Sequence, residues 1–353
     1  MAPLADRAGL TLERTAAGER FFAAESESIA RLCHACAQRF EAGGRLLATG
    51  ATPAARSDAR HVAVEFVHPV IVGKRALPAL ALEPGQLDAL AEPGDILFAF
   101  GDGCLTVTAG DREWRFAPDA SPFVAQELLE TSYHLVWELV HVFFEHSSRN
   151  VHDAGAAGFL YPFLGEAEGD VEAVVADVRA SVAMKAAEVA ALREQTLADG
   201  EDALRAAAAA IVAGGRVLAL GNGGSATDAM DLVADLRAAG RPALDLTEDS
   251  GILTAIANDI GVEAIFARQV IAYGRAGDVL VAISTSGNSA NVLAALAEAR
   301  RRGLVTVALV GYDGGRVAAE GLADHVVVTR SEHIPRIQEA QASAYHVLVG
   351  LVA

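Results

Sequence analysis

The chain has 353 residues, 52% hydrophobic and 21% charged, enough for two domains with cores of their own and too apolar for a disordered chain. A formal charge of −18 argues against a nucleic-acid partner, because phosphate backbones are held by Lys/Arg clusters, but it leaves room for a local basic pocket that takes one phosphate. Three cysteines make no disulfide framework, no apolar run approaches the ~18 residues of a membrane span, and Asp6, Arg7 and Glu13 interrupt any signal-peptide core, so the expectation is a cytoplasmic protein without a membrane partner.

In chain order, residues 1–18 show little pattern. Phe21–Phe40 has helical apolar spacing and ends at Gly43-Gly44, a C-cap signal. It contains Cys33 and Cys36, a C-x-x-C spacing without the preceding strand that redox motifs need, and is read as helix packing. Strands follow at Leu46–Ala48, Ala79–Leu82 and Ile96–Phe100, a helix at His61–Phe66, a hairpin over 105–116, and a long apolar helix at Phe123–Glu145. His146–Asp170 mixes Ser, Gly, Asp and Pro and reads as a linker. Beyond it, one or two helices over Val171–Ala213 lead into strands at 216–220, 243–246, 278–283, 306–310 and 325–328 with helical segments between, and a last helix at Arg336–Val352. That alternation predicts a parallel, doubly wound α/β sheet.

The chain also contains itself twice. Ala42–Gly50 recurs as Ala213–Gly221, each followed by a loop, a helix and an Asp (Asp58, Asp228), and Gln126 and Gln338 each stand eight residues before a histidine, His134 and His346. Asp95 to Gln126 is 31 residues against 60 from Asp278 to Gln338, so the first copy is expected to lack about one strand–helix unit.

Two loops of the second copy carry ligand-binding chemistry. Gly221-Asn222-Gly223-Gly224-Ser225 follows a buried strand and opens a helix, where close backbone N–H groups and the helix N-terminus favour an anion. Ser284-Thr285-Ser286-Gly287-Asn288-Ser289 does the same after the strand at 278–283 and offers four hydroxyls, where an N-cap needs one. Two donor-rich loops at the carboxyl ends of parallel strands point to an anionic ligand, a phosphate ester above all.

On GNGGSATDA (221–229), LTAIANDIGVEAIFARQV (253–270), GDVLVAISTSGNSANVL (277–293) and PRIQEAQASAYHVLVGLV (335–352), residues 171–353 resemble the sugar-isomerase (SIS) domain family, and within it the phosphoheptose (sedoheptulose-7-phosphate) isomerases. The resemblance implies tandem doubly wound parallel-sheet SIS domains, the first degenerate: a divergent, truncated copy over 1–146, a linker over 147–170 and a full domain over 171–353. It implies a sugar-phosphate ligand held by Asn222, Gly223, Gly224, Ser225, Ser284, Thr285, Ser286, Ser289 and Gln338, no nucleotide cofactor, and a His/Glu/Gln/His group around the reacting carbon that can bind zinc.

The two copies have kept different parts of that pattern. In the second half Asp231 and Asp235 stand where the family has His and Glu, while Gln338 and His346 remain. In the first half His61, Glu65, Gln126 and His134 match the pattern, but Pro53 breaks the Gly-rich turn and Asp102 stands where hydroxyls are needed. The expected metal shell is therefore His61, Glu65, Gln126 and His134, with Asp231, Asp235, Gln338 and His346 as the second candidate set. The expected reaction is aldose–ketose isomerisation, sedoheptulose 7-phosphate to D-glycero-D-manno-heptose 7-phosphate, through an enediol(ate). Glu65 would be the base and His134 or His346 the proton shuttle, at a composite site. The alternative is a non-catalytic phosphosugar-binding regulator or scaffold. Because the family assembles four SIS domains, a homodimer of this two-copy chain is expected.

Overall fold

The structure is a computed structural model that describes residues 7–70, 74–83, 85–101, 103–147 and 171–353. Asp102 and residues 148–170, most of the expected linker, lie outside the described residues. By contacts the chain forms two compact units, a larger one of Met1–Thr15, Thr52–His61 and Val189–Ala353, and a smaller one of Ala16–Ala51 and Val62–Glu188. No helix among the described residues is long and apolar enough to cross a membrane.

The smaller unit holds the five-stranded sheet of β1 (Leu46–Gly50), β2 (Ala79–Leu82), β3 (Ile96–Gly101), β4 (Cys104–Ala109) and β5 (Arg112–Phe116), in the order β2-β1-β3-β4-β5. β1 is parallel to β2 and β3, and β3-β4-β5 is an antiparallel meander. Its helices are α1 (Arg7–Glu41) from Ala16 onward, α2 (Pro53–Val67) from Val62 onward, the single turn α3 (Leu87–Leu90), α4 (Pro122–Ser147) and the first part of α5 (Val171–Val212). Aromatic side chains fill its core, Phe40 stacking on Phe66 at 5.7 Å and Phe100 meeting Tyr133 edge-on at 5.8 Å. Cys33 and Cys36 are fully buried in α1, and burial pushes both thiols up, as packing residues rather than a redox pair.

The larger unit holds β6 (Val217–Leu220), β7 (Ala243–Asp245), β8 (Val279–Ser284), β9 (Val305–Gly311) and β10 (His325–Thr329), all parallel, in the order β10-β9-β8-β6-β7. Between them run α6 (Gly224–Ala238), α7 (Ser250–Asp259), α8 (Ala267–Tyr273), α9 (Ala290–Arg301) and α10 (Gly315–Ala319), and α11 (Ile334–Val352) closes the chain. Leu218, Leu280, Val310, Phe266, Val270, Val292 and Leu296 form one core cluster on a face of this sheet.

The two sheets match strand for strand, which corrects the expected loss of a strand. The first copy has five strands too, but lacks the helices that join β8, β9 and β10. Parallel neighbours need a long crossover; antiparallel neighbours need only a turn, so a hairpin closes the shorter copy. Burial follows: every residue of β8 is buried, as in a sheet covered on both faces, whereas β3 alternates buried and half-buried positions.

The repeat preserves one device at the strand origins. Arg45 donates from its backbone N–H (2.9 Å) and Nε (3.1 Å) to Asp95 Oδ1 and from Nη2 (2.7 Å) to Oδ2. Arg216 makes the same three bonds to Asp278 at 3.1, 3.4 and 2.6 Å. The preceding Gly44 and Gly215 lie so close to the carbonyl oxygens of Gly94 and Gly277 that a Cβ would overlap them. The Arg45 guanidinium holds the Asp95 carboxyl down to about 2. A carboxyl whose folded value is depressed contributes stability above its ordinary range near ~4 and loses it as pH falls toward the folded value. The melting-temperature gap between wild type and Asp95→Asn is therefore expected to be full at pH 6 and to close between about pH 4 and pH 2; a gap constant over that window contradicts the clasp.

Candidate anion and metal site

Parallel pairing of β6 with β8, Val217 opposite Val279 through Leu220 opposite Ala282, makes both strands end at one edge of the sheet. The two loops read from the sequence as anion binders leave from that edge. Asn222 and Asn291 join them by a reciprocal amide pair, Nδ2 to Oδ1 at 3.0 and 2.9 Å. Asn291 Oδ1 also accepts from the Val292 N–H at 2.9 Å, in the first turn of α9.

In the second loop, Ser284 and Ser286 hydroxyls accept from the Gly287 and Asn288 N–H groups, each at 3.2 Å, and shape the turn. Ser289 occupies the N-cap of α9 yet makes no capping hydrogen bond, and Thr285 and Ser286 are half-buried. Hydroxyls not consumed by capping can serve a ligand. Ser225 is buried in the first turn of α6.

The first loop carries a further layer. Gln338, on α11 and 2% exposed, brings Nε2 to 3.1 Å from His61 Nε2. His61 Nδ1 faces Asp228 Oδ1 at 3.6 Å. A proton on Nδ1, toward that carboxylate, would leave the Nε2 lone pair to accept from the Gln338 amide. Both groups lie against the start of α6: a Cβ at Gly224 would overlap Gln338 Nε2 and come within 2.8 Å of His61 Nε2. A residue of the first sequence half thus completes the second half's loop, inside the larger unit.

Lower on α6, Asp231, Asp235 and His346 present ligand atoms all within 4.8 Å of one another. His346 Nε2 is 3.4 Å from Asp231 Oδ2 and 3.7 Å from Asp235 Oδ2, and the Tyr345 hydroxyl donates to Asp231 Oδ2 at 2.9 Å. Burial, then the neighbouring Asp231 charge, push the Asp235 carboxyl up to about 7, against the pull of His346. Two carboxylates and an imidazole converging in a buried spot suit a divalent cation with a coordination position left for water or substrate. Of the second expected metal set, Asp231, Asp235 and His346 come together, and Gln338 is engaged with His61 instead.

Of the first expected set, His61 groups with the larger unit, while Glu65, Gln126 and His134 belong to the smaller. There Glu65 and His134 are buried, Gln126 is half-buried, and His134 meets the ring of Tyr133 edge-on at 5.1 Å. Sequence reasoning missed Asn291, Tyr345 and the orienting part of Asp228. Asn291 and Tyr345 stood inside stretches singled out for their neighbours, and nothing in a linear pattern says which side chain a buried amide or hydroxyl will meet.

The SIS-domain profile matches residues 184–311. Phosphoheptose isomerase of Rhodospirillum rubrum is 46% identical over 150 residues, 41% of this chain and 79% of that protein. The chain belongs to the phosphoheptose isomerase family of SIS-domain proteins. The Desulfovibrio desulfuricans member is 47% identical over 172 residues, 46% of this chain and 81% of its own. The C-terminal domain of glucosamine-fructose-6-phosphate aminotransferase from Francisella tularensis covers 97% of this chain and 93% of itself at a TM-score of 0.61 and 11% identity, a likeness of fold that reaches both sequence copies.

Gly224→Ala tests the packing at the head of this SIS-family loop. Ala is worth about 1 kcal/mol over Gly within a helix, yet here it must displace Gln338 or His61. Calorimetric titration with a sugar phosphate is expected to show affinity reduced at least about tenfold, with no gain in melting temperature; unchanged affinity in a more stable variant contradicts the arrangement.

Proposed function

We propose that this protein is a phosphosugar aldose–ketose isomerase, with sedoheptulose 7-phosphate as substrate and D-glycero-D-manno-heptose 7-phosphate as product. The observation that carries this reading is the pair of donor-rich loops, tied by the Asn222–Asn291 amides, with His61, between Gln338 and Asp228, against the first of them. The 44–47% identity to proteins named phosphoheptose isomerase supports the substrate assignment.

In this reading Asn222, Gly223, Gly224 and Ser225, together with Ser284, Thr285, Ser286 and Ser289, hold the phosphate, and Gln338 orients the sugar at the α6 N-terminus. Isomerisation needs a base to take the proton from the carbon next to the carbonyl, a stabilised enediolate oxygen, and return of a proton to the neighbouring carbon. With a proton on Nδ1 toward Asp228, His61 would offer its Nε2 lone pair for proton transfer once substrate takes over the Gln338 amide. The Gln338 amide donates to a developing oxyanion. Asp231, Asp235 and His346 would hold a divalent ion, zinc by the family resemblance, which when bound supplies Lewis-acid stabilisation of that oxygen. Glu65 would serve as the base and His134 or His346 as the proton shuttle.

The second reading, a phosphosugar-binding regulator, draws on Asp231 and Asp235 standing where the family has His and Glu. A turnover assay with sedoheptulose 7-phosphate separates the two. Wild type is expected to turn over, Ser286→Ala to raise KM, and Glu65→Gln to lose at least about 100-fold in kcat with phosphate affinity retained. Binding without turnover in wild type selects the regulator, and full turnover in Glu65→Gln removes that residue from the chemistry. Metal analysis is expected to find bound divalent ion that Asp235→Asn loses. Light scattering at micromolar concentration is expected to give a homodimer mass; a monomer contradicts a four-domain assembly.

A further inference from the structure

A second concentration of positive charge lies away from the two loops. Arg56 and Arg60, one turn apart on one face of α2, and Arg237, in the last turn of α6, line a single cavity of about 340 Å³. Met230 supplies an apolar wall, and Asp245 and Glu248 also line it.

Three features set this cavity apart from a chance of surface chemistry. In a chain with a formal charge of −18, arginines have carboxylates to spare. Here neither the Arg56 nor the Arg237 guanidinium forms a salt bridge among the described residues. Arg237 instead gives Nε to the Ala243 carbonyl oxygen at 3.0 Å, which fixes the stem and leaves its other N–H groups for the cavity. The carboxylate Asp245 is engaged on one oxygen: its Oδ1 accepts from the Thr247 N–H at 2.7 Å and hydroxyl at 2.6 Å, which ties that oxygen to its own turn rather than to an arginine. Arg60 is held in place over the Met230 sulfur, with Nη1 at 3.2 Å.

We propose that this cavity is a second anion-binding site, separate from the Ser/Thr loops, for a small metabolite carrying a phosphate ester or paired carboxylates. Guanidinium groups arranged as forks recognise either anion by bidentate hydrogen bonds. A cavity of this size, at the small end of ligand pockets, fits a compact metabolite rather than a dinucleotide. Arg60 precedes His61, which faces Gln338 and Asp228, so occupancy bears on a helix segment that also enters the proposed active site. The site does not depend on the isomerase reading.

Isothermal titration with inorganic pyrophosphate and, separately, with citrate tests it on the full-length protein. The loops are silenced in a Ser225→Ala/Ser286→Ala background, so that the remaining heat reports this cavity alone. One anion per chain is expected to bind in that background, at least about tenfold more weakly once Arg56→Ala and Arg237→Ala are added, with the circular-dichroism spectrum and melting temperature unchanged. Pyrophosphate binding without citrate binding identifies phosphate chemistry, and the reverse identifies carboxylates. Arg56→Lys, which keeps charge and loses the fork, is expected to recover only part of the affinity. No binding in the loop-silenced background, or binding indifferent to both arginine substitutions, overturns the proposal. Both results can be read whether or not the protein turns over a sugar phosphate.

Discussion

The arginine–carboxylate clasp at the start of the paired strands is the constraint from which the site follows. Arg216 and Asp278 join the origins of β6 and β8 through three hydrogen bonds, and the Gly215 and Gly277 backbones touch beside them. That contact sets the register, Val217 with Val279. Once the register is set, both strands run out at the same edge a few residues later, and their loops meet there. The Asn222–Asn291 amide pair closes the far end. Burial would raise the Asp278 carboxyl, yet the Arg216 hydrogen bonds, with the Arg275 N–H, hold it below its usual range, so the clasp stays ionised under ordinary conditions.

The first copy keeps the clasp and has lost much of what it positions. Arg45 and Asp95 reproduce the bonds of Arg216 and Asp278, and β1 pairs with β3 in the corresponding register. Beyond β3 the chain turns back as a hairpin, so no helix opens there with a loop of hydroxyls at its N-terminus. The site has been divided accordingly. The loops that suit an anion belong to the second copy, and the histidine turned toward them, His61, belongs to the first.

Most strands and the tandem architecture were legible, because a buried parallel strand is a short apolar run bounded by glycine or aspartate and because the repeat supplied two readings of each feature. Helix starts were less legible. α2 begins at Pro53, eight residues before the apolar spacing becomes clear, since proline suits a first helical turn and Thr52 Oγ1 caps it by accepting from the Ala55 N–H at 3.1 Å. α1 begins at Arg7, in a stretch too polar to show periodicity. The loops were legible from composition. The contact of His61 with Gln338 was not, because it joins residues 277 apart, and periodicity assigns a side chain to a face without naming what that face meets. For the same reason the sequence pairs Gln338 with His346, eight residues on in the same copy, rather than with the histidine it touches.

These arrangements converge on one chemical claim: a phosphosugar is anchored by the second copy's loops while a proton moves between adjacent carbons through an enediolate. Following sedoheptulose 7-phosphate by NMR in deuterium oxide with the purified protein tests that claim most directly. An aldose heptose 7-phosphate carrying solvent deuterium on the carbon next to its carbonyl is expected, with exchange lost when the loop hydroxyls of Ser225 and Ser286 are removed. No conversion and no exchange, or conversion without any solvent deuterium in the product, contradicts it.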